Sequence, residues 1–206
     1  DIEDVPSDEY WKLAYNCEVL SKLCNIRNGL FRLEGPVADA LRGVILGCLH
    51  GPLQIDASYL SNQMQRTFSP KPDYAIRYWN KNQLLPPKVD ILKVIEKKAI
   101  RAYSNPPFDK IDSQVVKVDA RQIYKVHEEV SHVITSPPYL GMKSYGPDQW
   151  LREWFLGGPN RPSYDSSYQL GVSNYETFVN NLGKVWNSIS KIAVQKCKLT
   201  IRFGVF

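Results

Sequence analysis

Ser136-Pro137-Pro138-Tyr139 closes a short β-branched run, Ser131–Thr135, and its residue types suit one difficult reaction. The exocyclic amine of a nucleobase is a poor nucleophile because its lone pair is delocalised into the ring. Acceptors aimed at its two protons draw that lone pair back onto nitrogen as a methyl group arrives. Ser136 Oγ and the Pro137 carbonyl are candidates for the two acceptors. Consecutive prolines hold φ near −65° and remove two donors, so the carbonyls are fixed and open. Tyr139 offers a ring on which an extruded base stacks. Such a corner acts by positioning and electrostatic preorganisation.

The elements that must position this corner read as an α/β pattern. A second β-branched run, Gln114–Val118, ends at Asp119, and Leu199, Ile201 and Phe203 alternate with polar residues in a terminal strand. Helical periodicity covers Trp11, Tyr15, Val19, Leu23 and Ile26, capped by Ser7 or Asp8 and stopped by Gly29. Pro36 opens a helix with Val37, Ala40, Leu41, Val44, Ile45 and Cys48 on one stripe. Pro72 opens a shorter one with Tyr74, Ala75, Tyr78 and Trp79. Another carries Ile91, Leu92, Ile95, Ala99, Ala102 and Tyr103, and Asn174 caps the last, with Phe178, Leu182, Val185, Trp186, Ile189 and Ile192 inward. Residues 53–72 and 140–173 read as irregular. Ligands of an open α/β sheet lie beyond the carboxyl ends of its strands, which singles out Asp119 and Ser136–Tyr139.

HVITSPPYLGM resembles the catalytic motif of the amino-group DNA methyltransferases, which modify cytosine N4 or adenine N6. CLHGP, SYLSNQMQRTFSPKPDYAIRYW, TSPPYLGMKSYGPDQWLREWFLGGP and the terminal IRFG are similar to successive blocks of a bacterial and archaeal DNA methylase family of this kind. The resemblance implies a Rossmann-like methyltransferase sheet, S-adenosylmethionine as cofactor and double-stranded DNA as partner, in a restriction-modification setting. It implies catalytic roles for Ser136, Pro137, Pro138 and Tyr139. It places Asp119 near the cofactor's adenine, with Ala120 and Thr135 beside it. Asn105-Pro106-Pro107-Phe108 fits the same broad motif, but it follows an amphipathic helix rather than a strand.

The pattern is incomplete. No Gly-x-Gly turn occurs among the 12 glycines, so nothing matches the Asp-x-Phe-x-Gly-x-Gly segment that approaches the cofactor's methionine part. The expectation is a partial core, with that turn outside these residues, upstream or in a permuted order downstream. The missing part of the methyltransferase is then a partner. A catalytic domain over 111–206, preceded by a mainly helical segment over 1–110, is the expected organisation. A non-catalytic DNA-binding module derived from the same fold is the alternative. Methylation of RNA or of protein glutamine through a similar corner is a further one.

From Arg66 to Arg101, nine Lys or Arg stand against three acids, interleaved with Phe68, Tyr74, Tyr78 and Trp79. This stretch either follows a phosphate backbone or is a solvated helix face with its aromatics turned inward. Arg66, Lys71 and Arg77 are the candidate DNA contacts within it, the first two to phosphate. Ser61, Asn62, Gln63 and Thr67 belong to a block that the resemblance marks as characteristic. Trp150, Arg152 and Trp154 either line the base pocket or meet DNA, or the two tryptophans are core residues four apart on a helix. Arg202 either reaches the active edge of the sheet or lies on a solvated face.

Composition sets the outer limits. With 43% hydrophobic and 23% charged residues, the 206-residue chain is globular, with a net charge of +5. No apolar run reaches membrane-spanning length, and the first ten residues hold five acids and no base, unlike a secretory signal. Cys17, Cys24, Cys48 and Cys197 form no C-x-x-C pair, which suits a reducing cytoplasm and no disulfide framework. His50, His127 and His132 share no metal-ligand spacing, so no metal is expected; His50 reads as a hydrogen-bonded turn residue.

Overall fold

A computed structural model describes residues 5–52, 58–62, 71–105, 112–125, 129–141, 145–164 and 174–202. They form an α/β protein of two compact units: Asp1–Phe108 with Gly146–Ser163, and Asp109–Tyr145 with Tyr164–Phe206. Residues 146–163, assigned from the sequence to the catalytic part, therefore fall in the first unit.

The first unit is helical. Its elements are α1 (Glu9–Ala14), α2 (Cys17–Phe31), α3 (Pro36–Leu46), α4 (Pro72–Lys81), α5 (Ile91–Tyr103) and α6 (Tyr145–Phe155), the last from Gly146 onward. The single helix expected over Trp11–Ile26 is broken. Tyr15 is extended at φ −124° and ψ 140°, and Asn16 starts a new helix by accepting from the Glu18 amide at 3.0 Å. Gly29 does not stop α2, which runs two residues further. Pro36 and Pro72 sit in the first turns of α3 and α4, where a missing N–H costs nothing.

Aromatic rings fill the core of this unit. Trp11, Trp79, Trp150, Trp154 and Tyr15 are almost wholly buried. Trp11 lies 4.5 Å from Trp154 and 5.6 Å from Trp150, centroid to centroid, and Tyr10 meets Trp150 edge-on at 5.0 Å. Tyr15 Oη donates to the Leu49 carbonyl at 2.9 Å. Arg27 Nε donates to the Trp154 carbonyl at 2.9 Å, and its guanidinium lies over the rings of Phe31 and Trp154. Gly51 bridges Asn62, and a Cβ on it would overlap the Tyr59 ring, so this turn requires glycine. Cys24 and Cys48 are core, and burial pushes the Cys48 thiol up to about 12.

The second unit holds the sheet: β1 (Val130–Thr135) and β2 (Ala193–Ile201), hydrogen-bonded in parallel, with α6 and then α7 (Tyr175–Ser190) between them in the chain. Asn174 caps α7 by accepting from the Thr177 amide at 2.9 Å. α7 packs on a 3-10 stretch, Ala120–Lys125, and buries Phe178, Val185 and Ser188. Register shifts between Val130 and His132, where β2 carries extra residues and Lys196 takes φ 68°. The strand expected over Gln114–Val118 does not form: 112–119 is irregular and Val115 is fully exposed. A strand needs a neighbour for its N–H and C=O groups, and among the described residues only β1 and β2 pair. Ile134 is 83% exposed, so the sheet keeps an open apolar face.

Candidate active site

Ser136 stands at the carboxyl end of β1, where the backbone just past β2 closes the corner. Arg202 N–H donates to the Thr135 carbonyl at 2.9 Å, and Ser136 Oγ donates to the Arg202 carbonyl at 3.1 Å. With its proton committed there, the Ser136 oxygen faces outward as an acceptor. Ser136 is exposed, Pro137 buried, and Pro138 and Tyr139 half-buried. Among the described residues no backbone hydrogen bond between elements ends on the Pro137 carbonyl. The corner is therefore rigid, open at the serine and poor in donors. Sequence reasoning weighed the Arg202 side chain; its backbone is what matters here, and alternation carries no signal for that.

Asp119 leads into the 3-10 stretch and is exposed. Its carboxylate takes Arg121 Nε at 3.0 Å on each oxygen and Nη2 at 2.5 Å, and Arg121 Nη1 donates to Asn181 Oδ1 at 3.3 Å. The Arg121 hydrogen bonds hold the Asp119 carboxyl below its ordinary range. Arg121 was not singled out from the sequence, although the Asp-Ala-Arg spacing allows this clamp. Ala120 and Thr135 line one cleft of about 320 Å³, together with Ile123, Val130, Val133, Val185 and Ile189. Two of the three expected cofactor positions, Ala120 and Thr135, thus line one largely aliphatic cleft, and Asp119 precedes Ala120 in the chain without lining it.

The expected DNA contacts fall in the first unit or outside the described residues. Lys71, Arg77, Trp150 and Arg152 belong to the first unit, and Arg66, Gln63 and Thr67 fall outside the described residues, as does the Pro-Pro pair after Asn105. Trp150 is 2% exposed, packed by Tyr10 and Trp11. This corrects its reading as a DNA contact: α6 forms where an irregular segment was expected, and it turns both tryptophans inward. Arg77 is exposed on α4, whose Trp79 points into the core. Arg152 is half-buried, with Nη1 on Gln149 Oε1 at 2.8 Å. Ser61 and Asn62 are fully buried, and Asn62 Nδ2 donates to the Leu85 carbonyl at 3.0 Å, a structural use of that block.

His50 departs from expectation. It is 8% exposed and neither ring nitrogen has a partner among the described residues. Burial, aided by the Arg152 charge, lowers its pKa to about 4. The unfolded chain, with an ordinary imidazole near 6.5, takes up the proton first as pH falls. Stability from this site is complete above pH 6.5 and drains away between there and about 4, by about 3 kcal/mol in all. Urea melts across that window should show the loss in the wild type and a flatter profile in His50→Gln.

The described residues thus define an α/β protein with a serine–diproline corner at the carboxyl end of a parallel strand. No protein-family model matches the chain, and no curated protein or solved structure is significantly similar to it. Among the described residues no His, Cys, Asp and Glu group is fit to hold a metal, and no helix is long and apolar enough to cross a membrane.

Proposed function

We infer that the chain is part of an S-adenosylmethionine-dependent DNA methyltransferase acting on an exocyclic amine, cytosine N4 in preference to adenine N6. The observation that carries this reading is the Ser136 corner. An exposed hydroxyl, its proton given to the Arg202 carbonyl, sits one residue from a proline carbonyl at the end of a strand. Ser136 Oγ and Pro137 O accept the two amine protons and localise the nitrogen lone pair. Tyr139 stacks on the extruded base, and the Pro-Pro backbone keeps both acceptors in place without reorganisation. A Rossmann-like sheet, larger than the two strands described, is part of the same reading.

The donor implied by the resemblance supplies an electrophilic methyl group when bound. The residues present suit only one end of it: the cleft at Ala120 and Thr135 is lined mainly by aliphatic side chains, which supports an adenine-ring site there. Nothing in the sequence supplies a Gly-x-Gly turn for the methionine end. The chain on its own should therefore bind S-adenosylmethionine weakly, and calorimetric titration checks this; tight binding would reveal a second half-site in these residues.

The missing turn also favours a second reading, a DNA-binding module that has lost catalysis. Labelled methyl transfer to duplex DNA, assayed with the glycine-bearing segment supplied, separates the two. Incorporation dependent on Ser136 supports the enzyme, and its absence supports the module.

A further inference from the structure

A second cleft of the sheet-bearing unit, about 370 Å³, lies on the flank between the 3-10 stretch and α7. It is lined by Arg121, Gln122, Tyr124, Lys184, Asn187, Ser188 and Lys191. Its three cations are unequal. Arg121 is neutralised by Asp119. Among the described residues Lys184, which is exposed, has no carboxylate partner, and the Lys191 ammonium rests 4.3 Å from the Tyr124 ring centroid without one. Ser188, 2% exposed, receives the Tyr124 N–H on Oγ at 3.3 Å and keeps its own proton to donate. Lys184 on α7 and Lys191 at its C-cap stand two helical turns apart along one face, about 10 Å along the axis. Two ammonium groups without a described carboxylate partner, set in a concave, donor-rich strip, attract an anion. Their separation suits a chain of anions better than a single one.

We propose that this cleft binds the sugar–phosphate backbone of a nucleic acid, with Lys184 and Lys191 on neighbouring phosphates and the Asn187 amide between them. The choice of duplex DNA rests on the function proposed above; the site itself rests on the cleft. It lies apart from Ser136, so it anchors DNA without reading or modifying a base.

The test is anisotropy of a short labelled duplex over a salt series, using the wild type, Lys184→Ala/Lys191→Ala, and the control Lys12→Ala/Lys22→Ala, which removes two exposed lysines elsewhere. The cleft variant should bind about tenfold more weakly, and its log K against log salt slope should be shallower by about two, with the control well short of both. Equal behaviour of variant and control overturns the proposal, as does failure of the wild type to bind duplex. Displacement of the duplex by inorganic phosphate at constant ionic strength, lost in the cleft variant, would mark a site for free phosphate and overturn it too. The methylation reading is judged separately, by the effect of Ser136→Ala on base modification.

Discussion

Ser136→Ala should lower methyl transfer to DNA by about 10²–10³-fold, the size of effect seen when one preorganised polar group is removed from a reacting centre. The substitution removes the acceptor and its hydrogen bond to the Arg202 carbonyl, a partner on an exposed edge. Thermal stability should therefore move little. A structural role predicts the reverse, a lower melting temperature with activity per folded molecule retained. Ser136→Asn discriminates further, because it restores an acceptor at the corner and should recover part of kcat. Tyr139→Ala should cost about 10–100-fold, the worth of stacking one base, and should weaken substrate binding more than turnover.

Trp154→Ala should destabilise the helical unit by about 3–5 kcal/mol, the second large effect. Its indole is 2% exposed, 4.5 Å from Trp11, and under the Arg27 guanidinium, whose Nε bonds the Trp154 carbonyl. Truncation opens a cavity among rings that cannot collapse into it and removes the cation–π contact. That loss is comparable with the whole stability of many domains, so guanidinium melts followed by circular dichroism should show a greatly lowered midpoint. A shift of less than about 1 kcal/mol would mean that the ring cluster is not the core described here.

Sequence reasoning located what local chemistry dictates. Pro36, Pro72 and Asn174 mark helix starts because a missing donor or a side-chain acceptor acts within one turn. Ser136 was placed at a strand end by a β-branched run meeting two prolines, and it is found there. What failed depended on tertiary partners. The stripe through Trp11 and Val19 runs across the break at Tyr15 because both helices bury the same core. Gln114–Val118 has strand composition but no described neighbour to pair with. Glycines and prolines obscured α6, so the sequence left Trp150 open between a DNA contact and a core residue, and it is core. The Asp119–Arg121 clamp and the Arg202 backbone contacts left no periodic trace.

The measurement that bears most directly on the acceptor corner is nucleoside mass spectrometry of DNA from cells that express the chain together with the glycine-bearing segment. Wild type should yield N4-methylcytosine or N6-methyladenine above an empty-vector background, and Ser136→Ala should return it to that background. Equal modified base from the two, or none from the wild type, would contradict the account.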